Sequence, residues 1–422
     1  MIKILNCKTK NYKNKLTNFL EIRRSGKSID TSIVPKILND IKKNKLKAVI
    51  KYEKRFSKSS KIKVSKKEIN ESIKKLDPKI RQAIDFSYSR IFKFHSLQKP
   101  KNIKYFDQYR NIIEYKYIPI EKIGLYCPSN LPSSMLMTGI PAKIAKVKKI
   151  VLTTPRDKGN LNPAVMYAAK KCGVSEVKTC GGIQAIGYLT YIEKVNKIIG
   201  PGSDYVTAAK NYVSGLVGKE AGIIGPSEIL VLADNKTKIN EIGTSLLSQS
   251  EHGYESQSIL VTKYKEIINK VQKNIVSNLK KLPRKKIATQ SLKRHGLIIL
   301  CQNDKQITDI INEVAPEHIE LNVSNYKKYI SNITNAGSIC IGRYTPMVAT
   351  DYGLSMTNHV LPTKGSAKFS SGLSLDEYYK KISYVNLSKK FVAKTGKFGI
   401  RLGNFEGLTG HTQSIKSRME RK

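Results

Sequence analysis

From Lys149 onward the chain alternates short β-branched runs with segments of helical period, and this alternation constrains the fold more than any other feature. KKIVLTTP reads as a strand, PAVMYAAKKC as a helix, SEVKTC as a second strand, and IQAIGYLTYI as a helix opening after Gly181-Gly182. Strands joined through helices run parallel, so this stretch predicts βαβ units. A second alternating stretch begins at EILVLAD, continues through SILVTKY, a helix over 265–281, HGLIILCQ and a helix near 306–314, and ends at IELNV. The expectation is an α/β fold: two lobes of mostly parallel sheet flanked by helices, as incomplete Rossmann-like units, with small N- and C-terminal helical segments.

Residues 1 to about 120 are rich in lysine and carry a helical stripe at Ile69, Ile73, Leu76, Ile80 and Ile84, so they read as amphipathic scaffold. Boundaries are expected as follows: 1–24 an N-terminal helical segment, 25–125 with 227–372 the main lobe, 126–226 the second lobe, and 373–422 a tail. The joints Pro128-Ser129-Asn130, Gly200-Pro201-Gly202 and Gly225-Pro226-Ser227 are the expected crossings between lobes. The tail is too short to build a core and must dock on something.

A balance of 76 Lys+Arg against 32 Asp+Glu gives a formal charge of +44, which invites a nucleic-acid reading. The lysines are spread along the whole chain among Ile, Asn and Tyr, a mix that codon drift towards A and T produces, and no RNP, zinc-finger or helix-turn-helix signature accompanies them. No nucleic-acid partner is therefore expected. The N-terminus lacks a charged-then-apolar leader, and the uncharged stretch Ile123–Ala142 is interrupted by Pro128, Pro132 and Pro141, so neither secretion nor a membrane span is expected. Cys7, Cys127, Cys172, Cys180, Cys301 and Cys340 form no CxxC pair and read as reduced thiols of a cytoplasmic protein.

Walker A, GxSxG and HExxH sequences are absent, and Gly200-Pro201-Gly202-Ser203-Asp204-Tyr205 lacks the third glycine of a dinucleotide fingerprint. The histidines say more, because imidazole both ligates zinc and moves protons near neutral pH. His95 and His295 sit among lysines and read as solvent-facing. The other four lie in polar motifs. In Ser248-Gln249-Ser250-Glu251-His252, Gln249 and His252 share one helical face and can offer an amide oxygen and an imidazole to one ion; a surface or capping arrangement is the plainer alternative. In Ala315-Pro316-Glu317-His318, the imidazole can take a proton while the carboxylate orients water, or Glu317 can simply open a helix. Asp351-Tyr352-Gly353, followed by Thr357-Asn358-His359-Val360-Leu361-Pro362-Thr363, offers a carboxylate to a metal or an Asx turn. Glu406-Gly407-Leu408-Thr409-Gly410-His411 places an acid and an imidazole on the tail, or caps a terminal helix.

That succession of motifs, in that order, resembles the histidinol dehydrogenase family over nearly the whole chain. Gly124-Leu125-Tyr126-Cys127-Pro128, Ser134-Met135-Leu136-Met137, Gly181-Gly182-Ile183-Gln184-Ala185-Ile186 and Gly225-Pro226-Ser227-Glu228 agree with it. The resemblance implies a zinc-dependent, NAD-linked oxidation of L-histidinol through L-histidinaldehyde to L-histidine. It implies Gln249, His252, Asp351 and His411 as zinc ligands, His318 as general base and Glu317 as water activator. It implies that Ser227 and Glu406 contact substrate together with Gln249, His252, His318, Asp351 and His411, and that Tyr126, Gln184 and Ser203 lie on the NAD side. It also implies a homodimer in which the tail completes the partner's site. Where the family has Gly-Pro-Gly-Asn this chain has Gly200-Pro201-Gly202-Ser203, a side chain of shorter reach towards NAD. A metallohydrolase with the same ligand shell, or a basic nucleic-acid-binding protein, are the competing classes.

Overall fold

The computed structural model describes residues 2–24 and 30–419. Its larger sheet has six strands in the order Lys3–Asn6, Gly296–Leu300, Gln257–Thr262, Glu228–Ala233, His318–Asn322 and Ser338–Ile341, all parallel. Glu228–Ala233 and Gln257–Thr262 are buried at every position, because helices cover both faces, and this is why they read as continuous apolar runs. The second sheet has five parallel strands in the order Glu176–Lys178, Lys149–Thr153, Lys122–Tyr126, Lys197–Ile199 and Gly218–Lys219.

Apart from the edge strand Lys3–Asn6, both sheets repeat one topology: from Glu228–Ala233 and from Lys122–Tyr126 the next two strands in chain order step to one side and the following two to the other. Each lobe therefore has a switch point, between Glu228–Ala233 and His318–Asn322 in one and between Lys122–Tyr126 and Lys197–Ile199 in the other. In the five-stranded lobe the switch point lies beyond Tyr126 and Ile199, the usual place for a ligand crevice in such sheets.

Several boundaries differ from the sequence expectation. Lys3–Asn6 is no separate segment but the edge strand of the larger sheet, and Leu16 and Leu20 of the helix Tyr12–Arg24 bury against Leu230 and Leu232. The helices Ile33–Ser57, Lys66–Lys74 and Pro78–Ser96 cover the five-stranded sheet instead of the main lobe. Ile37, Leu38 and Ile41 pack with Ile183, Ile186 and Leu189, and Ile73, Ile84 and Ile91 pack with Ile123, Leu125 and Met135. An apolar stripe announces an amphipathic helix but carries no address for the sheet it covers. Of the three expected joints, the one at 225–227 crosses between lobes, whereas 128–130 and 200–202 are turns inside the five-stranded lobe.

Residues 103–119 and 379–386 form a three-stranded antiparallel sheet with Ile112–Pro119 at its centre. The first part of the tail thus docks on its own chain, where Leu373, Leu375 and Tyr378 enter the core and the Tyr378 hydroxyl donates to Thr138 O (2.7 Å). The helices Lys389–Phe405 and Thr409–Met419 pack on each other. Gly396, Gly399 and Gly403 of the first helix leave room for Met419, Ile415 and Thr412 of the second. Among the described residues no helix is long and apolar enough to cross a membrane.

Candidate active site

The helix Asp304–Val314 ends at Ala315, in the left-handed region at φ 45°, and Pro316 prevents its resumption. The chain enters the strand His318–Asn322 directly, so Glu317 and His318 stand at the amino end of a buried strand; the alternative of a helix start is excluded. Glu317 Oε1 lies 3.7 Å from His318 Nε2.

Gln249 occupies the last turn of the helix Ile239–Ser250, and His252 follows that helix directly, its amide donating to Gln249 O (3.2 Å). Ser250 Oγ and Ser258 Oγ both donate to Leu246 O, which pins this helix end to the next strand. Asp351 ends the short helix Val348–Asp351. The start of that helix is anchored by Met347 N, which donates to Glu320 Oε1 (2.6 Å), and Glu320 shares a strand and a face with His318. His359 Nδ1 lies 3.6 Å from Asp351 Oδ1. His252, Asp351, His318, Glu317 and His359 thus lie within electrostatic reach of one another at the amino ends of the larger sheet, with Gln249 on the adjoining helix end.

Desolvation sets the charge of this pocket. It raises the Glu317 carboxyl well above its ordinary value, and Glu228 and Asp351 push the same way. Burial holds the His318 imidazole down to about 3, helped by His359 and His252, and holds His359 down to about 4. Local desolvation lowers His252 although the residue is exposed to solvent in the single chain, while burial raises Asp351 to about 6 against the pull of His252. Neutral imidazoles present lone pairs, the form that ligates a metal or accepts a proton. Gln249 Oε1, His318 Nδ1 and His359 Nδ1 are buried without a hydrogen-bond partner within the chain, an arrangement that costs free energy unless a bound group satisfies it.

In the five-stranded lobe, Gly200 follows its strand at φ 136°, where a Cβ would overlap the Tyr126 carbonyl oxygen, so this turn demands glycine. Ser203 precedes the helix Asp204–Val213, exposed and with no side-chain capping bond. On the opposite lip, the Tyr126 hydroxyl accepts from Gly182 N (3.4 Å). Glu53 Oε2 accepts from Gln184 Nε2 (2.7 Å) and Gly181 N (3.2 Å). Tyr126 and Gln184 are both buried at this end of the five-stranded sheet, where the Gly200 turn leads to Ser203.

The family model for histidinol dehydrogenase matches residues 22–419. The chain belongs to the histidinol dehydrogenase family. It is 49% identical to the histidinol dehydrogenase of Pelagibacter ubique (strain HTCC1062) over 429 aligned residues, covering 100% of both chains. A crystal structure of histidinol dehydrogenase from Elizabethkingia anophelis superposes with a TM-score of 0.90 at 35% identity, covering 99% of this chain and 98% of that one. An acetylating aldehyde dehydrogenase from Geobacillus thermoglucosidasius reaches a TM-score of 0.50 at 12% identity over 89% of this chain and 97% of that one, which shows a shared fold alone. Membership in the histidinol dehydrogenase family makes the protein an oxidoreductase of histidine biosynthesis and excludes the hydrolase and nucleic-acid-binding alternatives as its primary activity.

The rest of the residues named for this family are placed unevenly. Ser227 lies at the joint ahead of Glu228, with its carbonyl accepting from Gln257 N (3.0 Å). Glu406 and His411 are exposed on the terminal helix pair. Among the described residues no three His, Cys, Asp or Glu side chains gather as a metal-ligand group, so one chain alone does not join His411 to His252 and Asp351. Two histidine readings are corrected: His95 and His295 are buried. His95 Nδ1 bonds Ile91 O (3.1 Å), and His295 Nε2 pairs with Glu255 (3.0 Å). Sequence spacing could have found the first, since Ile84, Ile91 and His95 fall on one helical stripe. Glu53 and Arg23, both buried beside candidate site residues, left no sequence signal.

Proposed function

We propose that the enzyme oxidises L-histidinol to L-histidine in two NAD-linked steps at the pocket formed by Gln249, His252, Glu317, His318 and Asp351. The observation that carries this reading is Gln249 Oε1, a buried amide oxygen without a partner, in the last turn of the helix that leads into His252, whose imidazole feels the charge of Asp351. Oxygen and nitrogen donors of this kind suit zinc. Gln249, His252 and Asp351 would hold it, with His411 of the partner subunit as the fourth ligand. When bound, zinc supplies a fixed point that orients the substrate's nitrogen atoms.

His318, buried and neutral, accepts the hydroxyl proton as hydride leaves the substrate carbon for NAD. Glu317, 3.7 Å away, then orients water towards the aldehyde carbon for the second oxidation. Holding the substrate by its nitrogen atoms would retain the aldehyde between steps. Tyr126, Gln184 and Ser203 border the nicotinamide dinucleotide crevice at the switch point, and Ser227 with the partner's Glu406 contacts substrate. The tail supports a homodimer. Phe398, Leu402, Phe405 and Leu408 on the terminal helices, with Ile103, Tyr105, Phe106, Tyr115, Tyr384 and Val385 on the small sheet, are exposed in the single chain, as large apolar side chains at a subunit contact would be. Six buried free thiols fit a reducing, cytoplasmic setting.

Purified protein given histidinol and NAD should produce two reduced nicotinamides per histidinol, lose this activity to a chelator and regain it with zinc. Absence of a nicotinamide signal in zinc-loaded protein would refute the reading. His318→Asn should lower turnover about 10²- to 10⁴-fold while retaining substrate binding. The shared site has its own test: refolded mixtures of inactive His252→Ala and His411→Ala chains should recover up to about a quarter of wild-type activity, because half the dimers then carry one intact site. No recovery in mixed dimers would place His411 outside the site.

A further inference from the structure

Arg23 and Glu228 lie outside the pocket chemistry described so far, yet both are buried and both connect to Glu317. The strands Glu228–Ala233 and His318–Asn322 are neighbours with His318 opposite Ile229, so Glu317 meets Glu228 one residue ahead of the ladder. There the two carboxylates replace the backbone carbonyls. Glu228 N donates to Glu317 Oε2 (2.7 Å), and Glu317 N donates to Glu228 Oε2 (3.2 Å). This reciprocal rung fixes Glu317 Oε2 and leaves Oε1 towards His318.

Two carboxylates side by side in a desolvated site oppose each other unless a cation compensates them. Arg23, at the end of the helix Tyr12–Arg24, supplies that cation: its Nη1 pairs with Glu228 Oε1, which also accepts from Lys364 N (2.7 Å). The same guanidinium donates through Nη2 to Pro226 O and through Nε to Glu255 O (2.8 Å). Pro226 precedes Ser227, and Glu255 lies three residues beyond His252. One planar fork therefore ties the substrate-side joint, the loop after the His252 motif and the partner of Glu317 into a single unit, a geometry that a lysine cannot reproduce.

We propose that Arg23 and Glu228 are positioning residues for the second oxidation, holding the Glu317 carboxyl where it can orient water. The inference rests on the reading of Glu317 as water activator. It separates the two half-reactions, because alcohol oxidation needs the His318 base, whereas aldehyde oxidation also needs water held by Glu317. A displacement of about 1 Å at such a group costs on the order of 10²-fold in rate.

The test measures histidinol oxidation in its first hydride transfer and histidinaldehyde oxidation separately, in zinc-loaded Arg23→Met, Arg23→Lys, Glu228→Gln and Glu317→Gln proteins. Arg23→Met and Glu228→Gln should slow aldehyde oxidation by about tenfold or more and alcohol oxidation by less than about threefold. Arg23→Lys should recover part of the loss, because a point charge still faces Glu228. Equal slowing of both half-reactions in Glu228→Gln would reduce the network to a structural brace and overturn the proposal. Should Arg23→Met fail to fold, Glu228→Gln and Arg23→Lys decide the matter alone. If Glu317→Gln slows aldehyde oxidation while Glu228→Gln does not, the clamp is wrong and the role of Glu317 stands. If Glu317→Gln leaves aldehyde oxidation intact, the water-activator reading fails and this inference falls with it.

Discussion

His95 Nε2 lies 3.4 Å from Asn358 Nδ2, whose amide nitrogen also donates to Met137 O (2.7 Å), so a buried imidazole seats the loop that carries His359. With Nδ1–H directed at Ile91 O, the ring is satisfied only when neutral; a proton on Nε2 would face the Asn358 amide hydrogens. Burial accordingly lowers the His95 pKa, against a smaller opposing effect of the Ile91 carbonyl.

Stability should therefore fall on acidification. A depressed folded-state pKa contributes stability that is present above the unfolded value of about 6.5 and is lost as pH falls towards the folded value, with a slope of up to about 1.4 kcal/mol per pH unit for one proton. His295, also lowered by burial, adds to the trend. Denaturant melts of wild type and His95→Gln between neutral pH and mild acid should show a shallower decline in the variant by one proton's worth. Identical slopes would mean that His95 carries its charge in the folded protein.

His95 also shows where sequence reading stopped. Its lysine-rich neighbours suggested solvent, yet helical spacing from Ile91 turns it inward, and the stripe rather than the local composition was the better guide. Strands such as Lys149–Thr153 and Glu228–Ala233 were legible because covering both faces of a parallel sheet demands an unbroken apolar run. Gly218–Lys219 and Lys3–Asn6 were not, since a short edge strand borrows its identity from the neighbour it pairs with. In the pocket, Gln249, His252, Glu317, His318 and Asp351 stood in recognisable motifs. Glu53, Arg23 and Glu228 act through partners more than 80 positions away, and no local pattern encodes such pairing.

His359 stands beside Asp351, a proposed zinc ligand. Its Nδ1 lies 3.6 Å from Asp351 Oδ1 and both groups are half-buried, so the ring helps orient the carboxyl proposed to face zinc. Removing such a supporting partner usually lowers metal affinity by about 10- to 100-fold. Titration of His359→Ala with zinc against a competing chelator should show a loss of this size, with the fold retained by circular dichroism. Unchanged affinity would detach His359 from the metal and leave it a packing residue.

On the proposed dinucleotide side, Gly200 is the sensitive position. Its φ of 136° excludes ordinary side chains, and a methyl group would overlap the Tyr126 carbonyl oxygen. Gly200→Ala must move the end of the strand Lys122–Tyr126 or its own turn, at a cost of about 1 to 3 kcal/mol. The expected signature is a lower melting temperature together with a raised KM for NAD and little change in the KM for histidinol. A variant that loses stability without any change in NAD dependence would show that the crevice beyond Tyr126 is not where the dinucleotide binds.

The terminal helices offer the sharpest separation of fold from assembly. Phe405 is 91% exposed and Leu402 60% exposed in the single chain, so neither contributes to the chain's own core. If these side chains bury against a second copy, Leu402→Asp with Phe405→Asp places charges in that contact, where desolvation without a partner is costly. The doubly substituted protein should sediment as a monomer, keep its secondary structure, and lose turnover because Glu406 and His411 no longer reach a second pocket. A dimer of undiminished activity would show that these helices dock elsewhere, and would require each chain to complete its own site.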